Sequence, residues 1–220
     1  MQEGGYDGLG QVWQDITSDG WGVQLTDIAS TDAVTSEVCT YINNKPITSM
    51  SYMFYKSQAT TLDISNFNTS NVTNMSSMFG NSEATTLDVS NFDTSKVTDM
   101  SEMFSASQAT TLDLSNFNTS NVTNMIYMFS GSKATTLDVS NFDTSKVTNM
   151  MYMFQGSSNL KTIYGSSKFV TTAVTSSTGM FSRCTNLVGG AGTKYDANHV
   201  DKTYARIDGG TSNPGYFTAK

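Results

Sequence analysis

Four aspartates recur at a fixed interval of 25 residues, and they are the first candidates for chemistry in this chain. They are Asp63, Asp88, Asp113 and Asp138. On a stack of similar units these carboxylates would form an outward ladder with about 5 Å between neighbours. Like charges that close raise one another's pKa or recruit a cation, so calcium along the ladder is one hypothesis. Screening by the flanking threonines and by water is the other.

Other groups capable of catalysis or metal binding are few. His199 is the only histidine and lies near Asp196 and Asp201, but no Gly-x-Ser-x-Gly elbow accompanies it. Cys39 and Cys184 lie on opposite sides of the repeats, which predicts two free, buried thiols rather than a disulfide. The count of cysteine and histidine is too low for zinc. Apart from a possible cation on the aspartate ladder, the sequence therefore predicts no catalytic residue, no enzymatic activity, no bound metal and no cofactor.

Apolar and aromatic residues break the repeat pattern at the two positions inside each M-x-x-M step. These positions read Ser51-Tyr52, Ser76-Ser77, Ser101-Glu102, Ile126-Tyr127 and Met151-Tyr152. We expect them to point away from the core, so that the last two pairs form one exposed patch. Exposed aromatic and methionine side chains are typical of binding surfaces. The candidate binding residues are therefore Tyr52, Ile126, Tyr127, Met151 and Tyr152. Contact with a C-terminal cap folded over them is the alternative interpretation.

The elements that position these residues come from a fourfold repeat. Segments beginning at Ala59, Ala84, Ala109 and Ala134 read ATTLDISNFNTSNVTNM, ATTLDVSNFDTSKVTDM, ATTLDLSNFNTSNVTNM and ATTLDVSNFDTSKVTNM. A fixed period of this length is typical of a stacked repeat array. In TTLDIS apolar and polar residues alternate, which predicts a short strand. The spacing of Val72, Met75, Met78 and Phe79 predicts a helical return that Thr69 or Ser70 would cap.

Further side chains in the repeats are expected to pack or to pair. Leucine, phenylalanine and methionine columns would fill the core of the stack. Alternate repeats carry Asp93 with Lys96 and Asp143 with Lys146. Because these residues are three apart, we expect each Asp to pair with the Lys of its own repeat.

The combination of LDLSNF, NTSNVTNM and MF at this spacing resembles the BspA-like leucine-rich-repeat surface proteins of bacteria, whose surface or lipoprotein repeats have about 25 residues. The resemblance covers about residues 47 to 217. The cysteine that usually follows the MF step is present only as Cys184, and serines occupy that column in the other repeats. The position that holds a ladder asparagine in ordinary leucine-rich repeats is Phe67, so a phenylalanine spine is expected to replace that ladder.

The resemblance and the pattern together predict an α/β fold. It is a leucine-rich-repeat-like right-handed solenoid with one short parallel strand and a short helical or 3-10 return per repeat. The expected parts are an N-terminal cap at residues 1–46, the repeat solenoid at 47–188 and a C-terminal capping segment at 189–220. The regular repeats are 59–83, 84–108, 109–133 and 134–158, with a degenerate repeat at each end. Caps are needed because terminal repeats would otherwise expose an apolar face.

Charge and hydropathy limit the classes of partner that the chain is expected to bind. A net charge of −7, with lysines and arginines scattered, argues against nucleic acid. No stretch approaches 18 apolar residues and no signal-peptide pattern begins the chain, so membrane insertion is not expected. The resemblance implies a non-enzymatic module, exposed at the cell surface or secreted, for adhesion to or recognition of a host or neighbouring-cell protein or glycan. The alternative is a structural spacer, or a fibre or phage appendage module whose neighbouring domain binds the ligand.

Overall fold

The structure, a computed structural model, describes residues 10–15, 20–25, 27–35 and 41–220. Its strands are β1 (Gly10–Asp15), β2 (Gly20–Leu25), β3 (Val34–Thr35), β4 (Tyr41–Ile42), β5 (Lys45–Ser49), β6 (Leu62–Asp63), β7 (Thr136–Asp138), β8 (Thr162–Gly165) and β9 (Phe217–Ala219). Within the described residues, 3-10 helix occurs at Lys202–Tyr204 and Gly210–Ser212. Turns and extended segments make up most of the remainder.

A four-stranded sheet of order β1-β2-β5-β4 precedes the first repeat. β1 pairs antiparallel with β2, which runs parallel to β5. β4 and β5 form a hairpin around Asn43 and Asn44, whose positive φ angles of 50° and 62° suit asparagine in a two-residue turn. The end of β5 is shared by the four-stranded sheet and the repeat array, because Ser49 also pairs with Asn74 of the first regular repeat. β5 therefore crosses the boundary expected between residues 46 and 47.

An unbroken column of parallel β-bridges joins successive repeats. It runs through Ser49, Asn74, Asp99, Asn124, Asn149 and Ser176. The residue before each bridge donates to the preceding repeat, as from Thr98 N to Thr73 O at 2.8 Å. The residue after it donates to the following repeat, as from Met75 N to Asp99 O at 3.0 Å. This column lies in the VTNM segments, where the sequence pattern predicts the start of a helix.

The TTLDIS segments are paired mainly at the two ends of the array. β6 pairs in parallel with β3, and β7, β8 and β9 form a parallel sheet of three strands. Between these groups the described backbone has one bridge, from Thr61 to Thr86, and a 3.4 Å hydrogen bond from Thr110 N to Thr85 O. Leu112 is only partly buried there, although Leu87 and Leu137 of neighbouring repeats are buried. The repeats therefore pair most continuously along the VTNM column.

A run of turns, rather than a helix, follows each VTNM column. Along this run the N–H groups alternate between partners: Met53 N donates to Met50 O, and Phe54 N donates to Met78 O of the next repeat. Two residues in each run have left-handed backbone, beginning with Tyr52 and Lys56 at φ angles of 60° and 59°. Left-handed residues end helices. A run of turns, like a helix, directs a side chain to the core about every third residue. The apolar spacing of these segments therefore fits both structures.

Phenylalanine and methionine columns form the core of the stack, as the sequence predicts. The MF phenylalanines Phe54, Phe79, Phe104, Phe129, Phe154 and Phe181 are fully or almost fully buried. Their rings stack with centroids 5.4 to 5.8 Å apart and nearly parallel planes. The second column packs beside the first, with Phe67 at 5.9 Å from Phe54. Each ring in this column therefore stacks on the ring of the next repeat, as each bridge joins one repeat to the next.

An asparagine ladder runs beside the second phenylalanine column. Asn91 Nδ2 lies 3.1 Å from Ile64 O, 3.0 Å from Ser65 O and 3.1 Å from Phe67 O of the preceding repeat. Asn116 and Asn141 repeat this arrangement. The expectation that phenylalanine replaces the asparagine ladder is therefore wrong, because the ladder asparagine stands one position before the phenylalanine.

Two polar side chains expected to act within a repeat instead join neighbouring repeats. Thr69 Oγ1 donates to Asp93 O at 3.0 Å and accepts from Asp93 N at 2.7 Å. Thr69 therefore ties two backbones together and caps no helix. Lys96 Nζ lies 2.9 Å from Asn71 Oδ1 of the preceding repeat. Lys146 contacts its asparagine in the same way. Hydrogen bonds from Ser95 lower the pKa of Asp93, and the charge of Lys96 in the same repeat adds to this effect.

Candidate binding surface

One column of left-handed residues positions the candidate tyrosines. It contains Tyr52, Ser77, Glu102, Tyr127, Tyr152 and Gly179, all with φ between 54° and 63°. Each member of the column before Gly179 donates its N–H to the next repeat, as where Tyr127 N donates to Met151 O at 3.0 Å. Left-handed backbone costs an L-residue other than glycine about 1 to 2 kcal/mol. The stack thus imposes this conformation on the column whatever side chain stands there.

Tyr127 and Tyr152 form a stacked pair on this surface. Their ring centroids are 4.8 Å apart and the ring planes differ by 17°. The ring of Tyr152 lies over Gly179 of the following repeat, where an added Cβ would come within 2.5 Å of Tyr152 Cε1. Both tyrosines are half-buried, as are Ile126 and Met151 beside them. The structure brings these four candidate residues together.

Tyr52 stands apart from that pair. It is 45% exposed and lies three repeats before Tyr127 in the same column. Its ring makes an edge contact with Tyr55 at 5.4 Å, and Tyr55 packs over Gly80. Tyr55 was not predicted as a candidate, although its column varies as strongly as that of Tyr52. Variation within a column was the signal that could have identified it.

The aromatic residues of the C-terminal segment gather elsewhere. Tyr216 is buried and contacts Phe181 at 5.1 Å, and Tyr204 stacks on His199 at 4.5 Å. Among the ring contacts of the described residues, Tyr127 and Tyr152 pair only with each other. The pair is therefore stabilised by its own neighbours in the repeat stack.

The aspartate ladder has its own local partners. Asp63 Oδ1 accepts hydrogen bonds from Ser65 Oγ at 2.7 Å and from Ser65 N at 3.1 Å. The serine side chain first, and then the backbone N–H, holds the pKa of Asp63 below its usual value, and Asp88 and Asp113 have the same pattern. Repulsion between neighbouring carboxylates is a lesser effect at Asp88 and Asp113, and it does not raise their pKa above the usual value.

Asp138 differs from the other three aspartates. Its partial burial acts to raise the pKa, but hydrogen bonds from Lys220 and Ser140 lower it overall. Among the described residues, no three His, Cys, Asp or Glu side chains are grouped closely enough to hold a metal ion. A shallow depression of about 400 Å³ lies between the TTLDIS-type segments of the second and third regular repeats. Its lining residues are Thr86, Leu87, Asp88, Thr111, Leu112 and Asp113.

A family described as "Mycoplasma protein of unknown function, DUF285" matches this chain twice, over residues 27–137 and over residues 106–214. The chain belongs to this family. The two overlapping matches are expected for a repeat that aligns with the DUF285 pattern in more than one register. No curated protein and no solved structure matches the chain significantly. The DUF285 description names no activity and no ligand.

The remaining candidates for chemistry are distributed through this DUF285 chain without forming a site. His199 Nε2 lies 3.8 Å from Asp196 Oδ2, and Asp201 accepts from Thr203 instead. Cys184 is a free, buried thiol, as predicted, and its Sγ lies 2.9 Å from Phe154 O. Burial raises the pKa of Cys184 to about 12. Cys39 lies outside the described residues. In the part of the chain that the structure describes, no helix has the length and hydropathy to cross a bilayer.

Proposed function

We propose that this chain is a non-enzymatic recognition module of a bacterial surface, and that it binds its partner through the Tyr127–Tyr152 pair. The module would be exposed at the cell surface or secreted, on a right-handed leucine-rich-repeat-like solenoid. The resemblance to BspA-like repeats supports this proposal, and membership of DUF285 is compatible with it. The partner would be a protein or glycan of a host or neighbouring cell.

The stacked tyrosine pair is the observation that carries the proposal. The same column holds Ser77 and Glu102 in other repeats, so the stack does not require an aromatic side chain there. Tyrosine in left-handed backbone is an unfavourable choice for stability alone. Residues held in rarely populated backbone conformations are often found at functional sites. A partly exposed tyrosine that stacks on a second ring also offers a large contact area with little conformational entropy to lose on binding.

A binding assay on intact surfaces tests this proposal. The purified chain, coupled to beads, is compared with a Tyr127→Ser/Tyr152→Ser variant on cultured host cells and on immobilised matrix proteins. Tyr41→Ser is the matched control, because Tyr41 is 55% exposed and lies in β4, away from the pair. We expect binding to be lost in the double variant and retained in the control, with both circular dichroism spectra unchanged.

The structural spacer is the second candidate function. The continuous bridge column and the elements at both ends of the stack favour it, because a uniform stack sets a fixed distance between its ends. In that case an adjoining domain binds the ligand, as in a fibre or phage appendage. Equal binding by the wild-type chain and the double variant would contradict the recognition proposal and favour the spacer.

A further inference from the structure

We propose that the partner of the Tyr127–Tyr152 pair is a neutral saccharide. This inference rests on the proposed recognition function of the same surface and names the chemistry of its ligand. The return face comprises the runs of turns after the bridge column, which are residues 51–56, 76–81, 101–106, 126–131, 151–156 and 178–183. Three properties of the return face point to an uncharged, hydroxyl-rich ligand.

The first property is charge. The chain has a net charge of −7, but the return face contains only Lys56, Glu102 and Arg183 as charged residues. Charged partners are steered and selected by complementary potentials across an interface. A face with one acid and two bases, spread over six repeats, has little such potential. An uncharged ligand therefore fits it better than a polybasic or polyacidic one.

The second property is the geometry of the rings. Tyr127 is the terminal ring of the stacked pair, because the preceding residue of its column is Glu102. In the described residues, the face of Tyr127 that is turned away from Tyr152 is therefore not covered by another aromatic ring. Aromatic faces carry partial negative charge. The polarised C–H bonds on one side of a pyranose ring are attracted to such a face.

Gly179 leaves room for this arrangement. Any Cβ at that position would collide with the Tyr152 ring, so the glycine allows Tyr152 to lie flat and support Tyr127. A platform that is already ordered loses little freedom when a ligand binds, which matters most for weakly binding ligands.

The third property is the balance of polar and apolar groups around the rings. Glu102 precedes Tyr127 in the column, and Gln155 follows Tyr152 in the same turn, with Gln155 N donating to Tyr152 O at 3.0 Å. Both side chains are partly exposed, and their planar groups suit sugar hydroxyls. The apolar residues beside the rings, Ile126 and Met151, are half-buried. A stable protein interface needs roughly 1,000 Å² with an apolar centre, whereas a saccharide needs one ring and a few polar groups.

The test is an array of linear neutral oligosaccharides, built from glucose, galactose, mannose or N-acetylglucosamine, printed beside sialylated and sulfated ones. The wild-type chain is compared with Tyr127→Ser, Tyr127→Phe and the control Tyr41→Ser. We expect binding to at least one neutral series. Loss of the aromatic face in Tyr127→Ser should weaken it by about tenfold, while Tyr127→Phe keeps most of the affinity.

The outcomes separate this inference from the proposed function. Binding only to charged glycans, or binding to neutral glycans that Tyr127→Ser leaves unchanged, overturns the saccharide inference. Silence on the array, together with tyrosine-dependent binding to matrix proteins, overturns the inference and leaves the recognition function intact. Silence in both assays overturns both proposals.

Discussion

The backbone conformation of a single residue in this protein depends on the column of the stack to which the residue belongs. The second left-handed column reads Lys56, Asn81, Ala106, Gly131, Gly156 and Arg183. Glycine and asparagine accept this backbone most readily, but alanine does not. Ala106 therefore stands in a conformation that its methyl group disfavours, whereas the next repeat has Gly131 at the same position.

Replacing Ala106 by glycine should stabilise the protein. Relief of the left-handed strain outweighs the added freedom of the unfolded chain, so we expect a gain of about 0.5 to 1 kcal/mol in the free energy of unfolding. Urea denaturation followed by circular dichroism measures it. Ala109→Gly is the matched control: Ala109 is buried and has no positive φ, and this variant should lose about 1 kcal/mol. Equal losses in the two variants would contradict the assignment of strain to Ala106.

At the scale of a structural element, one carboxylate stabilises the C-terminal segment. The side chain of Asp208 is buried and accepts hydrogen bonds from Ala191 N, Thr193 N, Thr193 Oγ1 and Gly210 N. Burial acts to raise its pKa, but the hydrogen bonds lower it overall, to about 2. The charged form of Asp208 therefore holds together the loop that closes the last repeat.

Asp208→Asn should destabilise the protein by about 2 kcal/mol at pH 7, because hydrogen bonds to a charged acceptor are lost. A carboxylate whose pKa is lowered on folding stabilises the native state above its unfolded pKa of about 4. That stabilisation is lost as the pH falls toward about 2. The difference between wild type and variant in urea denaturation should therefore shrink from pH 5 to pH 2.5.

Asp63→Asn is the control for this measurement. Asp63 is exposed and its partner is the nearby Ser65, so we expect no measurable change in the free energy of unfolding at any pH. A deficit in Asp208→Asn that is the same at pH 2.5 and pH 7 would show that charge is not its cause.

The sequence predicts the repeat register, the buried Met and Phe columns and the grouping of Tyr127 with Tyr152. It does not predict the bridge column, because Val72, Met75 and Met78 have the same spacing in a helix and in a run of turns. The left-handed tyrosines are also hidden, since only glycine or asparagine would signal that backbone. The pKa of Asp63 depends on a serine contact two residues away. Each missed feature is set by contacts between repeats or by local hydrogen bonds, which a pattern of apolar residues does not encode.

The whole molecule is organised in steps of 25 residues. The bridges, the contacts of the ladder asparagines and the phenylalanine stacks in the regular repeats link each repeat to the next one. In such an array stability is close to a sum over repeats and their interfaces. Removal of one complete repeat should therefore leave all remaining contacts available.

Deletion of residues 84–108 should give a folded, less stable protein that still unfolds cooperatively. It joins two repeats in register and keeps Tyr127 and Tyr152 adjacent, so any binding by the pair should persist. Thermal melting followed by circular dichroism measures the first expectation. Deletion of residues 84–95 is the control, because it places core columns opposite surface columns and should abolish cooperative melting. Similar melting of the two deletions would contradict a stack with a 25-residue step.

The central claim, that the Tyr127–Tyr152 pair contacts the partner, is tested most directly by photo-crosslinking on intact host cells. Tyr127 is replaced by p-benzoylphenylalanine in one sample and Tyr41 in another, and both samples are irradiated after binding. We predict covalent adducts with surface protein or glycan from position 127 and a much lower yield from position 41. Equal yields from the two positions, or no adduct from position 127 while the chain remains bound, would contradict the claim.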